Sequence, residues 1–150
     1  MRKKAFLLMV SAVLLLSLTQ TAGAWYGLAD TKDYAIPMNL GRSYEGRLNT
    51  PDDVDWFKYT NTDPYPKSVE IFAMPLPSGP NYRNINYDID YEYCPAGGSC
   101  IPFSAGDTGP GVAEFVLALW LPTGYTVYWK VKPHSRSDYG YDYATAVYTN

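Results

Sequence analysis

The chain has 150 residues, 47% of them hydrophobic, which is enough to build a core. Its formal net charge is −3 and beyond Arg2, Lys3 and Lys4 it has no Lys/Arg cluster, so an extended phosphate backbone is excluded as a partner. A single histidine and two cysteines leave little for transition-metal or nucleophilic chemistry.

Arg2, Lys3 and Lys4, the apolar run from Ala5 to Leu18 and the small residues Ala22, Gly23 and Ala24 have the pattern of a cleaved export signal spanning residues 1–24. The mature chain is expected to begin near Trp25. The apolar run is short for a membrane span and no basic stop-transfer segment follows it, so a secreted, extracellular monomer with no membrane attachment after cleavage is expected. The remainder is long enough for one domain with a sizeable core and too short for two ordinary ones. All fifteen tyrosines lie in it.

Residues 25–34 form a polar N-terminal arm without clear periodicity, carrying Asp30 and Asp33. From Gly41 to Tyr59 the pattern is strand, acidic turn, strand. Ser43 to Leu48 alternates around Gly46, and Asn49, Thr50, Pro51, Asp52 and Asp53 supply turn residues. Asp55, Phe57 and Tyr59 then share one face of the second strand, because side chains alternate with period two. Phe57 and Tyr59 enter a core. Asp55, at the mouth of that face, needs a cation, a backbone donor or water to offset its desolvation.

Lys67 to Met74 is the next strand, with Val69, Ile71 and Ala73 on one face. From Ile85 to Tyr93 the alternation is the most regular in the chain: Ile85, Tyr87, Ile89, Tyr91 and Tyr93 pack, while Asp88, Asp90 and Glu92 point the other way. Those three acids can serve a cation or a glycosidic bond, or simply solvate the outer face of an antiparallel sheet. Cys94 and Cys100 bracket a short loop and, in an exported chain, most simply form a disulfide. Ile101 to Gly111 is expected as a loop. Val112 to Leu121 is expected as a strand buried on both faces, since the apolar run is nearly continuous and bounded by Pro and Gly. Tyr125, Val127, Trp129 and Val131 define another alternating strand, and Tyr141 to Thr149 the last. About eight strands and no helix predict an all-β, antiparallel jelly-roll-like β-sandwich.

Several ordered residues carry a family resemblance: Ala35, Ile36 and Pro37; Leu40 and Gly41; Tyr44, Gly46 and Leu48; Asp52, Asp55, Trp56, Phe57 and Tyr59; Gly124, Tyr125 and Val127; and Gly140, Tyr143 and Val147. In these, residues 35–150 resemble the bacterial pre-peptidase C-terminal (PPC) domain and its relative, the collagen-binding domain of clostridial collagenases. The resemblance implies a β-sandwich. It also implies that acidic residues of the arm join the turn aspartates around calcium, with Asp52 and Asp55 at the positions of the turn ligands. The arm here is less acidic than in that family. Independently, a hard cation wants six to eight oxygens, and Asp30, Asp33, Asp52, Asp53 and Asp55 with turn carbonyls can supply them. The other reading is that these aspartates make Asx-type turns and backbone caps.

Catalysis has no candidates beyond scattered carboxylates, so a non-enzymatic role is expected. Trp56 and Tyr128 on outward faces, with Tyr82, Tyr139 and Tyr141 in or beside loops, offer contact area for an extracellular protein or glycan polymer. The alternative is a structural or maturation partner of a separately encoded secreted peptidase or of the cell surface.

Overall fold

The computed structural model describes residues 29–149. The expected signal segment and the first residues of the arm lie outside them. Nine strands form: β1 Ile36–Pro37, β2 Ser43–Arg47, β3 Asp55–Thr60, β4 Lys67–Pro75, β5 Tyr87–Cys94, β6 Ile101–Ser104, β7 Glu114–Leu121, β8 Thr126–Pro133 and β9 Asp142–Thr149. Two single 3-10 turns, Lys32–Tyr34 and Tyr82–Asn84, complete the regular structure of the described residues. The strands make two sheets, β1-β3-β8-β5-β6 and β2-β9-β4-β7. Every pairing is antiparallel except the short β1–β3 contact, where Ile36 lies beside Phe57. The expected β-sandwich is observed.

Period-two alternation selects the core. Phe57, Ile89, Val127, Trp129 and Val131 face inward from the five-stranded sheet, and Val69, Ile71, Val116, Leu121, Tyr143 and Val147 from the four-stranded one. Each such side chain removed from water contributes about 1.5–3 kcal/mol. Phe57 stacks on Trp129 at 5.6 Å, and Tyr143 meets Phe57 and Tyr87 edge-on. Trp129 carries a polar N–H into this interior and spends it across the sandwich: Nε1 donates to Thr145 Oγ1 at 3.0 Å, and Thr145 Oγ1 donates to the Phe72 carbonyl at 2.6 Å. That chain of bonds satisfies the buried donor and fixes the register of β8 over β9.

Two segments depart from expectation. Ile101–Ser104, the start of the expected loop, pairs with β5 from Asp90 to Tyr93, because the Cys94–Cys100 disulfide folds the chain straight back onto the strand it has just left. The apolar run ending at Leu121 is not buried on both faces. It is the edge strand β7 and begins at Glu114, and Phe115, Leu117 and Trp120 are exposed on its outer side. Opposite Glu70 it bulges: Val69 pairs with Leu119 and Ile71 with Val116, leaving an extra residue. Ala118 takes the left-handed conformation there, with φ +53°. The bulge resets the alternation, so Val116 and Leu121 turn inward while Leu117 and Trp120 both turn out.

Candidate functional site

The arm crosses the five-stranded sheet. The Ala29 carbonyl accepts from the Trp56 amide at 2.8 Å, anchoring the arm to β3 and placing Asp30 beside the acidic turn. Further on, Lys32 pairs with Glu92 of β5 and lies 4.6 Å above the Tyr128 ring. The turn itself is built by local hydrogen bonds, in which the Asn49 amide donates to Asp53 Oδ2 at 2.6 Å and the Asp53 amide to the Thr50 carbonyl at 3.2 Å. Within this frame Asp30, Asp53 and Asp55 each bring a carboxylate oxygen within 4.8 Å of the other two. Asp33 and Asp52 do not join them; Asp52 is exposed, with Arg136 3.9 Å away.

Asp55 receives a hydrogen bond of 2.5 Å from the Tyr143 hydroxyl, which reaches it from the opposite sheet. Burial pushes the Asp55 carboxyl up to about 6; the Tyr143 bond opposes that rise, and the charges of Asp53 and Asp30 add to it. Gly46 makes the reach possible, because a Cβ there would lie 2.6 Å from the Tyr143 oxygen. The site therefore offers three crowded carboxylates, one held at high proton affinity, and among the described residues no cation is paired with any of the three. As a donor set it suits a hard, oxygen-seeking cation. It is incomplete without carbonyls or water.

A second feature lies on the outer face of the same sheet. Trp56, Lys130, Asp90 and Ser104 line up across β3, β8, β5 and β6, one register row. With Glu92 and Phe103 they line a cleft of about 430 Å³. Its polar floor is internally paired: Asp90 takes Lys132 at 2.8 Å, Lys130 at 3.3 Å and the Ser104 hydroxyl at 2.7 Å. Burial raises the Asp90 carboxyl, but these hydrogen bonds and the two lysine charges outweigh it and hold the group below its ordinary value. Lys130 sits 5.4 Å from the Trp56 ring. Trp56 and Tyr128 are thus half-buried, each partly roofed by a lysine. Tyr82, Tyr139 and Tyr141 do not line the cleft. Arg83 lies over the Tyr82 ring, and the Tyr141 carbonyl accepts from Tyr87.

The remaining acid of the expected trio, Asp88, bonds His134 Nδ1 at 2.9 Å, which raises the His134 pKa. Asp107, held by the Asn86 side chain and the Gly109 amide, completes a group of three there. Three residues that matter had no signal in the local pattern. Phe103 and Ser104 sit in a Gly/Pro/Ser-rich stretch, and Glu114 hides at the head of an apolar run. Glu114 is buried; its Oε1 accepts from the Ile89 amide at 3.0 Å, while Oε2 has no partner. Burial pushes this carboxyl up to about 7.

A scan against protein-family models finds no match to the sequence, and a search of curated proteins finds none either. Solved structures do match. One is the pre-peptidase C-terminal domain of a collagenase from Bacillus anthracis, at 14% identity and a TM-score of 0.52, covering 75% of this chain and 93% of that one. The Yersinia pseudotuberculosis-derived mitogen matches at 13% identity and TM-score 0.44 over 73% of this chain and 85% of that chain. A Podospora anserina GH26-CBM35 β-(1,4)-mannanase matches at 12% and 0.34 over 77% and 24%. At 14% identity the first bears on the fold alone, and the last two are too distant to bear on either fold or function. The resemblance carried by residues from Ala35 to Val147 is matched in three dimensions, and the chain has the fold of a pre-peptidase C-terminal domain.

Proposed function

We propose that this chain is a non-catalytic, extracellular binding module that holds a segment of protein or glycan polymer in the cleft beside Trp56, over Asp90, Glu92 and Lys130. The observation that carries the reading is the cleft's composition. The Trp56 ring borders a row of paired charges, giving apolar contact area together with donors and acceptors that can exchange partners with a polar chain. The Cys94–Cys100 disulfide supports an oxidising compartment, and the PPC fold agrees with a module of this kind.

Calcium belongs to the same proposal as a structural ion. Asp30, Asp53 and Asp55 would hold it, and its charge would relieve the carboxylate crowding that burial imposes on Asp55. Because Asp30 is on the arm and the other two are on the turn and β3, the ion would tie the arm to the sheet. Lys32 would then stay over Tyr128, beside the cleft.

The test is retention of the purified protein on insoluble collagen, chitin, cellulose and peptidoglycan. Retention on one of these, lost in Trp56→Ala with the fold intact, supports the reading. Retention on none of them overturns it and leaves the role of a partner to a separately encoded secreted protein.

A further inference from the structure

The outer face of the four-stranded sheet is apolar and open. On the edge strand β7, Phe115 is 44%, Leu117 66% and Trp120 59% exposed; Met74 of β4 is 37% and Tyr148 of β9 39% exposed. Phe72 joins them into one surface, stacking on Tyr148 at 5.8 Å and meeting Phe115 at 6.2 Å. The surface is built at a cost. The bulge at Ala118 places a residue with a Cβ in the left-handed region, on the order of 1 kcal/mol of strain, and its consequence is that Leu117 and Trp120 share the outer face. Plain alternation would have turned one of them inward.

We infer that this face is a homodimer interface, formed by two copies packing their four-stranded sheets face to face about a twofold axis. Area is the first argument. Aromatic side chains carry about 150–250 Å² each, so at these exposures the face presents on the order of 500 Å² of apolar surface. That is at the upper end for a patch left open on a monomer. Two copies would cover about 1,000 Å² of apolar surface together, the least that a specific interface buries and the area of a weak dimer. Charge is the second argument. The carboxylates of Asp30, Asp53, Asp55, Asp88, Asp90 and Glu92 belong to the other sheet and its turn, so two acidic copies meeting here keep those charges apart. On this sheet Glu70 stands beside Tyr148, and Glu45, Arg47 and Asp142 lie toward β2 with Arg47 3.7 Å from Asp142, so the apolar residues share the face with a few charged ones.

The bulge also decides the geometry. A bulged edge resists further strand pairing, so sheet extension through β7 is disfavoured and stacking of the two faces remains. In such a dimer the two clefts point away from each other. If the cleft reading above is right, the dimer is bivalent and bridges two polymer segments, raising retention by avidity.

Sedimentation equilibrium of the purified protein tests the dimer directly. The expected mass is twice the monomer at about 10–100 µM, with Leu117→Lys and Trp120→Lys each raising the dissociation constant at least about tenfold while far-UV circular dichroism is unchanged. A wild-type protein that stays monomeric through that range overturns the inference, as does a dimer that survives both lysine substitutions. Trp56→Ala keeps the dimer mass whatever its effect on polymer retention, so failure of the cleft reading and failure of the dimer are separately visible.

Discussion

The two outer faces of this sandwich answer the same sequence pattern in opposite ways. On the five-stranded sheet the outward positions hold Asp88, Asp90, Lys130 and Lys132, which pair across β5 and β8, and Glu92, which pairs with Lys32 of the arm. Lysines even cover the rings of Trp56 and Tyr128. On the four-stranded sheet the outward positions of β7 hold Phe115, Leu117 and Trp120, all three exposed. Alternation alone therefore says which side chains leave the core, and the chemistry of those side chains says what the face is for. A paired, polar face suits exchange with a polar ligand. An open, apolar one suits permanent cover.

The largest effect on this arrangement is expected where the two sheets meet the acidic turn. Gly46→Ala would put a methyl group 2.6 Å from the Tyr143 oxygen, so the ring must move and the bond to Asp55 is lost. Overpacking of this kind costs about 1–3 kcal/mol, which denaturant unfolding of wild type and variant will measure. Tyr143→Phe at the same site removes only the hydroxyl and should cost less, about 1 kcal/mol. Equal losses in the two variants would mean that the hydrogen bond, and not the space beside Gly46, sets the cost.

Calcium and pH sharpen the polar side of the comparison. With the metal at a hundred times its dissociation constant, linkage gives about 2.7 kcal/mol of stabilisation, a rise of several degrees in Tm. Asp55→Asn should abolish that rise. Without metal the sign reverses. The folded state holds the Asp55 proton more tightly than the unfolded chain, up to about 6 against 3.8, and the Glu114 proton likewise, up to about 7 against 4.5. Stability of the metal-free protein should therefore fall as pH rises from about 4 to 7. Asp55→Asn should flatten the lower part of that fall and raise metal-free stability at neutral pH by about 1–2 kcal/mol. Thermal melts across pH with a chelator present decide it; a metal-free protein whose Tm climbs over this window would refute the crowded-carboxylate account.

Much of the fold is legible in the chain because inward positions are marked by simple alternation: Val69, Ile71 and Ala73, or Val127, Trp129 and Val131. The acidic turn is legible too, through Asn49, Asp53 and Asp55. What is not legible depends on long-range geometry. The bond between Tyr143 and Asp55 joins residues 88 positions apart. The strand Ile101–Ser104 exists only because the disulfide returns it to β5, and no local propensity marks Pro102 in a strand. In β7 a run of apolar residues suggests burial on both faces, but an edge position and one bulge expose half of them. Asp33 and Asp52 have the right residue type and spacing for the cluster, and the 3-10 turn at Lys32–Tyr34 and the turn geometry direct them elsewhere.

The smallest expected effect separates the two faces most cleanly. Lys132→Met removes a cation that pairs with Asp90 at 2.8 Å and Asp88 at 3.9 Å, yet Lys130 and Ser104 still serve Asp90 and His134 still serves Asp88. Exposed pairs are worth about 0.2–1 kcal/mol, so the loss should lie in that range and shrink further in about 1 M salt, where screening reaches a few ångströms. Its sedimentation mass should match wild type. Leu117→Lys should do the reverse, changing mass while leaving unfolding of the monomer nearly untouched, because its side chain is two-thirds in water already. A Lys132 variant that alters mass, or a Leu117 variant that alters only stability, would show that the two faces are not functionally distinct: burial behind β7 would then extend to Leu117, and the apolar patch would be an outlying part of the core.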